Sequence, residues 1–523
     1  MTQGSGPVLQ LIVLAALATS PAAPAEPARF DADIATVVAR EHLPGMAVAV
    51  VDQGQVVYRH AEGMRGDGGR VDEDTLFKIA SNSKAMTAAL LARLVQQGRL
   101  RWDDPVQRHL PGFRMHDAWV GQQMQVRDLL IHNSGLGLGA GDLMLWPEPN
   151  AFTRADIIAG LAHLKPVTSF RSGYAYDNLM YVVAGEVAAA AGGKPYDQLM
   201  REQVFEPLGM ARCQVGRWSV RDVGNVAQPH ARRDGRTTVV NADGEISADL
   251  PSMAAGGIRC SLRDMTRWMQ VLLDPDLVPD WLDTPQRRAL WTLHMPMPLG
   301  DMQRRWDNAH VHGYGYGWRL SDIDGHWKVA HTGTLSGMYS SLALLPDRGI
   351  GVVILINGEG EQARTALMQS MLKAYTAPQD RRRAADYLDE LERAQASQRA
   401  QGHVAPSTEG ARAVSGTALP QWQGRYADPW LGTAWLCPGP DGLRFRVEKS
   451  PRLQARVMQL QQRWLLRWDT LGEDAQAWLQ PGDGPVPSLQ LRAIDPDIDF
   501  SYDFQDLHFT RIGDCTGQPR ARQ

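Results

Sequence analysis

Apolar residues run almost unbroken through Met46–Val51 and again through Ile350–Ile356, near the two ends of a long mixed segment. The first run continues through Gln53-Gly54 into Gln55–Arg59, which predicts a hairpin. The second is preceded by Tyr339–Leu345 across Pro346-Asp347-Arg348-Gly349, a second hairpin. Between them the period changes. Ser81–Gln97 carries Met86, Ala89, Leu90, Leu94 and Val95 at helical spacing, with Gly98 as a C-terminal stop. Strands, then helices, then strands predict an α/β (α+β) unit over 26–376, its antiparallel sheet drawn from both chain ends around a helical insertion. Gln379–Ala400 follows as an exposed helix with one docking stripe at Ala384, Leu388 and Leu391. Gly402–Gly416 has no period and reads as a flexible connection, so 377–416 is predicted to be a linker. From Leu419 onward short β-like runs carry Trp422, Trp430, Trp435, Trp464, Trp468 and Trp478. Residues 417–515 are therefore predicted to form an all-β barrel or sandwich, with 516–523 as a tail. Phe500, Tyr502 and Phe504 alternate, whereas Leu507 and Phe509 alternate in the other phase, which predicts a turn or bulge at Gln505-Asp506.

Composition narrows the function classes. With 523 residues more than one core is expected, and 44% hydrophobic with 21% charged residues fits a globular chain. A net charge of -4 leaves no basic footprint for nucleic acid. Val8–Ser20 is apolar and is followed by Ala23 and Ala25, which predicts a signal peptide over 1–25 and a periplasmic or secreted protein. No cysteine follows that run and no other stretch looks transmembrane, so no stable membrane anchor is expected. Export invites pairing of the four cysteines. Cys213–Cys260 and Cys437–Cys515 keep each bridge within one unit; four free thiols or a cross-pairing are the alternatives.

Candidate chemistry centres on Ser81-Asn82-Ser83-Lys84. Residues three apart on a helix share a face, so hydroxyl and amine lie side by side. An amine of lowered pKa can accept the serine proton, and a helix N-terminus favours a developing oxyanion. Only seven of the 54 Lys+Arg are lysine, which gives that spacing weight. Ser370-Met371-Leu372-Lys373 repeats it with nothing catalytic after it, and reads as part of an ordinary helix. Tyr176-Asp177-Asn178 is the only Tyr-x-Asn. Its phenol, depressed by a nearby lysine, could act as a base, and its amide could bond both lysine and substrate. His331-Thr332-Gly333-Thr334 precedes the second hairpin, where a glycine on an edge strand would let a substrate backbone approach. His310-Val311-His312 has no third ligand at a recognisable spacing and reads as loop; no phosphate loop, dinucleotide fingerprint or Cys-x-x-Cys occurs. No cofactor or metal is implied.

The order Ser-x-x-Lys, Tyr-x-Asn, His-Thr-Gly resembles that of class C β-lactamases, serine DD-peptidases and related D-aminopeptidases and esterases. Arg127–Leu136, Pro207–Met210, Ala255–Gly257 and Tyr314–Trp318 are similar to the same superfamily. The resemblance covers roughly residues 30–375. It implies a β-lactamase/transpeptidase-like domain in which Ser81 is acylated, Lys84 and Tyr176 shuttle its proton, and Asn178 positions lysine and substrate. The N–H groups of Ser81 and Thr334 would form an oxyanion hole. His331 stands where class C β-lactamases have lysine; a neutral imidazole there implies poor anion capture, weak β-lactamase turnover and better use of esters, amides and D-residue peptides. Asp177 is expected to face solvent. Asp499–Leu507 resembles the lipocalin-like module appended to some of these hydrolases, expected to be dispensable for acylation and a candidate surface for homo-oligomers. A small molecule or short peptide is the expected substrate. Three alternatives to a D-residue peptidase or amidase stay open: a small-ester hydrolase, a class C-type β-lactamase, and a penicillin-binding sensor that acylates without turnover.

Overall fold

Gly45–Asp52 (β1) and Ile350–Ile356 (β8) are apolar at nearly every position because both faces of the sheet are covered. Met46, Val48 and Val50 point into a core shared with the helices Pro27–Glu41 (α1) and Glu361–Thr376 (α5). Ala47, Ala49 and Val51 point the other way, into the larger core beneath Leu262–Leu273 (α4) and the helical insertion. The two strands pair antiparallel, Met46 opposite Ile356, so the two ends of the segment meet within the sheet, one strand in from its β2 edge. The other strands are Gln55–Gly63 (β2), Met295–Pro296 (β3), His312–Tyr314 (β4), Arg319–Ile323 (β5), His326–Leu335 (β6) and Met338–Leu345 (β7). Their order across the sheet is β2-β1-β8-β7-β6-β5-β4-β3. This computed structural model describes residues 27–517 apart from 402–403, 473–474 and 483. The predicted signal peptide over 1–25 and the end of the 516–523 tail lie outside the described residues.

Ser83–Gln96 (α2) is buried almost all round down to Leu94, which explains why its apolar surface has no clean polar face. It lies beside Leu179–Gly192 (α3), also buried over most of its length. Ala384–Ala400 (α6) docks through Ala384, Tyr387 and Leu388 on the core that α1 and α5 share. Arg383 reaches back to Asp33, and Arg40 to Asp389.

Beyond the connection, strands from Gly424–Asp428 to Phe509–Gly513 each pair with the next, and the last returns to the first. The result is a closed eight-stranded up-and-down barrel. Of the tryptophans singled out above, Trp430, Trp435, Trp468 and Trp478 are buried. Cys213 is bonded to Cys260 and Cys437 to Cys515, closing loops of 47 and 78 residues. Cross-links of that loop size contribute about 2–4 kcal/mol each.

One strand expectation fails. Residues 499–503 form no strand, and Phe504–Asp506 is a single helical turn before the closing strand. Aspartates divert the backbone from a ladder: Asp499 accepts from Ser501 N at 2.9 Å, and the Asp503 carboxylate accepts from Gly141 N and Leu143 N in the other domain. The apolar alternation thus belongs to a loop pulled onto the catalytic unit. The barrel docks there by further bonds, Ala151 N to Lys449 O at 2.7 Å and Arg452 Nη1 to Glu148 O at 2.9 Å.

Candidate active site

Ser81 sits on a tight turn, Ala80–Asn82, that leads directly into α2. Ala80 there has φ +48°, a left-handed backbone costing a non-glycine residue about 1–3 kcal/mol, the kind of strain found where a side chain must be aimed. Neighbours hold the turn in place. Ser340 Oγ on β7 donates to Ile79 O at 2.7 Å and accepts from Asn82 Nδ2 at 2.8 Å. Gly333 on β6 lies so close that a Cβ would fall 2.2 Å from Ile79 O. That glycine is required by the protein's own backbone. Nor is β6 an edge strand, since it pairs with both β5 and β7. Its pairing with β5 stops at Ala330, however, so His331–Leu335 have a partner on one side only. The free side is a local edge beside Ser81, and Thr334 is exposed on it.

Lys84 is wholly buried in the first turn of α2, one turn on from Ser81. Its Nζ contacts Ser81 Oγ at 3.1 Å, Asn178 Oδ1 at 2.7 Å and Ala255 O at 2.8 Å. Burial drives its pKa down to about 7; Asp142 opposes the shift and Arg319 adds to it. Two of the three partners can only accept. A neutral amine has two N–H bonds and one lone pair, so the two carbonyl oxygens take the N–H groups and the lone pair is left for the Ser81 proton. The arrangement is that of a base loaded for use.

Tyr176 behaves differently from the expected depressed phenol. Burial raises it to about 12, against the opposing pull of Arg319 and a bond to the Ser81 hydroxyl. Its ring lies 4.8 Å from Lys84 Nζ. A protonated phenol can relay a proton between neighbours, whereas a buried amine of lowered pKa is the kind of group that can accept one. Asp177, expected in solvent, is completely buried. Its Oδ1 accepts from Leu179 N at 2.9 Å and Met180 N at 3.4 Å, capping α3, and its Oδ2 accepts from Ser134 Oγ. The cap fixes the chain direction that delivers Tyr176 and Asn178.

His331 is buried, and that burial, with Arg319 and Lys84 nearby, keeps its pKa well below the ordinary imidazole value. Nδ1 faces Thr332 O at 2.7 Å and must carry the hydrogen; Nε2 then accepts from Tyr314 OH at 2.8 Å. The residue is neutral, as expected. A cation stands near it: Arg319, at the start of β5, whose Nη1 donates to Thr332 Oγ1 at 2.8 Å and whose guanidinium lies 5.7 Å from the Tyr176 ring. Among the described residues no carboxylate is within ion-pair distance of it. An arginine spent on a threonine and aromatic rings, at the open edge of β6, is a ready partner for an anionic group.

Sequence reasoning missed Arg319, Asp142 and His132 as site residues. Asp142 Oδ2 accepts from Asn178 Nδ2 at 2.8 Å, which fixes the amide so that Oδ1 faces Lys84. His132 is fully buried among Tyr174, Tyr176, Tyr181 and Tyr314, and Asp177 N donates to its Nδ1. It was quoted only within the Arg127–Leu136 stretch; Asp142 and Arg319 carried no motif. The second Ser-x-x-Lys is structural: Ser370 donates to Asp33 at 2.6 Å and Lys373 pairs with Asp324. His310 and His312 take separate partners, Asp322 and Pro298 O.

Fold and site define the class: a β-lactamase/transpeptidase-like domain of the serine hydrolase kind, carrying a C-terminal barrel. Residues 30–376 match the family model described as Beta-lactamase, and the chain belongs to that family. It is similar to penicillin-binding protein 4 of Amycolatopsis lactamdurans, 28% identical over 63% of this chain and 84% of that protein. It also resembles the D-alanyl-D-alanine-carboxypeptidase/endopeptidase AmpH of Escherichia coli, 28% identical over 60% and 79%. A third relative is the unguisins hydrolase ungD' of Aspergillus campestris, 27% identical over 70% and 69%. Among solved structures, the octameric penicillin-binding protein homologue from Pyrococcus abyssi shares the fold over 92% of this chain and 99% of that one, with a TM-score of 0.60 and 19% identity.

Proposed function

We propose that the protein is a serine hydrolase that cleaves short peptides ending in a free carboxylate, a DD-carboxypeptidase-like activity proceeding through an acyl-enzyme on Ser81. The observation that carries this reading is the buried Lys84 Nζ 3.1 Å from Ser81 Oγ, with its two other partners able only to accept, which leaves the lone pair of the neutral amine for the serine proton. The serine proton passes to Lys84 as Oγ bonds to the substrate carbonyl carbon. The carbonyl oxygen takes the charge beside the N–H groups of Ser81 and Thr334. The C–N bond then breaks, and the leaving amine receives the proton through the Tyr176 hydroxyl. Water, deprotonated by the same pair, releases the acyl group.

Arg319 supports the carboxylate preference, because it places a cation with no carboxylate partner among the described residues along the open edge of β6. The test is a panel: a D-Ala-D-Ala peptide, its C-terminal amide, a short ester and a chromogenic cephalosporin. The free acid is expected to be cleaved faster than the amide. Arg319→Gln should raise KM for the acid by about 10–100-fold, the loss of a charge-assisted hydrogen bond, with little change for the amide. A wild type that prefers the amide would remove the carboxylate from the proposal, and a cephalosporin turned over fastest would replace it with a β-lactamase.

Export belongs to the same proposal. It is supported by the apolar Val8–Ser20 run and by two bonded cysteine pairs. A mature chain from the native host that begins before Ala23 would contradict it.

A further inference from the structure

The loop 499–503 leaves the barrel and enters the catalytic domain beside Asn178. Ser501 Oγ donates to Asp142 Oδ2 at 2.9 Å, the same oxygen that accepts from Asn178 Nδ2 at 2.8 Å. Asn178 Oδ1 in turn accepts from Lys84 Nζ at 2.7 Å. Four side chains from two domains are thus joined in one line: Ser501, Asp142, Asn178, Lys84. All but Ser501 are buried. The loop is held there deliberately. Asp503 is buried and takes the backbone N–H groups of Gly141 and Leu143, the residues flanking Asp142. Gly139 has φ +68°, and a Cβ there would fall 2.5 Å from Phe500 O, so only glycine admits the loop. Phe500 meets the Tyr176 ring edge-on at 6.0 Å and remains 40% exposed, so the loop also forms part of the wall beside the tyrosine.

We propose that this loop of the C-terminal barrel is a working part of the active site, with Ser501 a positioning residue that acts through Asp142 and Asn178 to hold the Lys84 lone pair on Ser81. The inference rests on the hydrolase reading above and replaces the expectation that the barrel is dispensable for acylation. Its chemistry is directional. Asp142 is wholly buried, and its Oδ1 has no hydrogen-bond partner among the described residues, so its orientation depends on the two bonds at Oδ2. Without Ser501 the carboxyl group is free to turn, the Asn178 amide loses its fixed orientation, and an amide nitrogen can replace the oxygen that Lys84 needs. A donor in that position would compete for the lone pair. Hydrogen bonding from Ser501 also favours the ionised form of Asp142 against the strong upward pull of burial.

The experiment uses full-length protein and a fluorophosphonate probe, whose reaction reports activation of Ser81 without a substrate carboxylate. Ser501→Ala should label about tenfold more slowly than wild type, with an unchanged thermal midpoint. With the peptide substrate kcat should fall by a similar factor while KM stays nearly constant. Ser501→Thr, which keeps the hydroxyl, should restore most of the rate. Equal labelling rates for wild type and Ser501→Ala would overturn the proposal, as would a Ser501→Thr enzyme no faster than the alanine variant. Wild-type protein that takes no label on Ser81 would instead overturn the hydrolase reading itself, and the relay with it.

Discussion

Ser81→Ala is expected to abolish both covalent labelling by a fluorophosphonate or a fluorescent penicillin and all hydrolytic turnover, while Ser370→Ala leaves both intact. Both serines precede a lysine by three residues on helical chain. Their surroundings decide between them. Ser81 is partly exposed at the head of α2 on a turn that carries the left-handed Ala80, and its neighbour Lys84 is paired only with neutral groups. Ser370 is fully buried in α5, donates to Asp33, and its lysine is neutralised by Asp324. Intact-mass and peptide mapping of the labelled wild type measures the outcome. Label on Ser370, or label that survives in Ser81→Ala, would refute the assignment.

The parts of this molecule that were legible in its sequence are those in which local pattern and tertiary role coincide. Runs such as Met46–Val51 and Ile350–Ile356 are apolar because both faces are buried, and the turns beside them carry glycine at positive φ, as at Gly54 and Gly349. The Ser81–Lys84 pair was legible because its geometry lies within one helical turn. Tyr176 and Asn178 were found as types, but their electrostatics were not. Whether a phenol rises or falls depends on burial, and burial is a property of the assembled core; the ring of Tyr174, Tyr181 and Tyr314 around His132 comes from three separate segments.

The residues that escaped notice act across long separations without a motif. Arg319 lies on the strand paired with the His331 strand, and one arginine among many carries no signal until β5 and β6 are aligned. Asp142 becomes meaningful only when Asn178 and Ser501 converge on the same oxygen. The alternation of Phe500, Tyr502 and Phe504 was misleading for a related reason. Its spacing fits a strand, but Asp503, between two of those rings, bonds to backbone of the catalytic domain, and that competition is invisible in a hydrophobic pattern. The fold and the Ser81–Lys84 pairing were therefore readable, whereas charge placement and the reach of the barrel loop to Asp142 were not.

Replacing Lys84 separates a proton acceptor from a mere positive charge. Lys84→Ala should reduce kcat/KM by roughly 10²–10⁴-fold, the usual cost of losing a general base. Lys84→Arg should be no better, because guanidinium keeps its proton across the whole working range and offers no lone pair. The pH profile supplies the sign. Burial lowers Lys84 to about 7, so the neutral, active amine gains population as pH rises through that value, and activity should climb along an acid limb centred there. The groups facing Lys84 are Asp142, Asp177, Tyr176, Tyr181, His132 and Arg319. Burial first of all holds His132 neutral, and Tyr176 keeps its proton up to about 12, so neither titrates on that limb. Asp177, raised to about 6 by burial, lies just below it and should add a second, steeper loss in more acid solution as protonation weakens the α3 cap. Single-turnover acylation measured between pH 5 and 9, buffered at constant ionic strength, resolves the limb. A profile flat through pH 7, or a Lys84→Arg enzyme retaining a tenth or more of wild-type activity, would show that Lys84 supplies charge alone and that the base lies elsewhere.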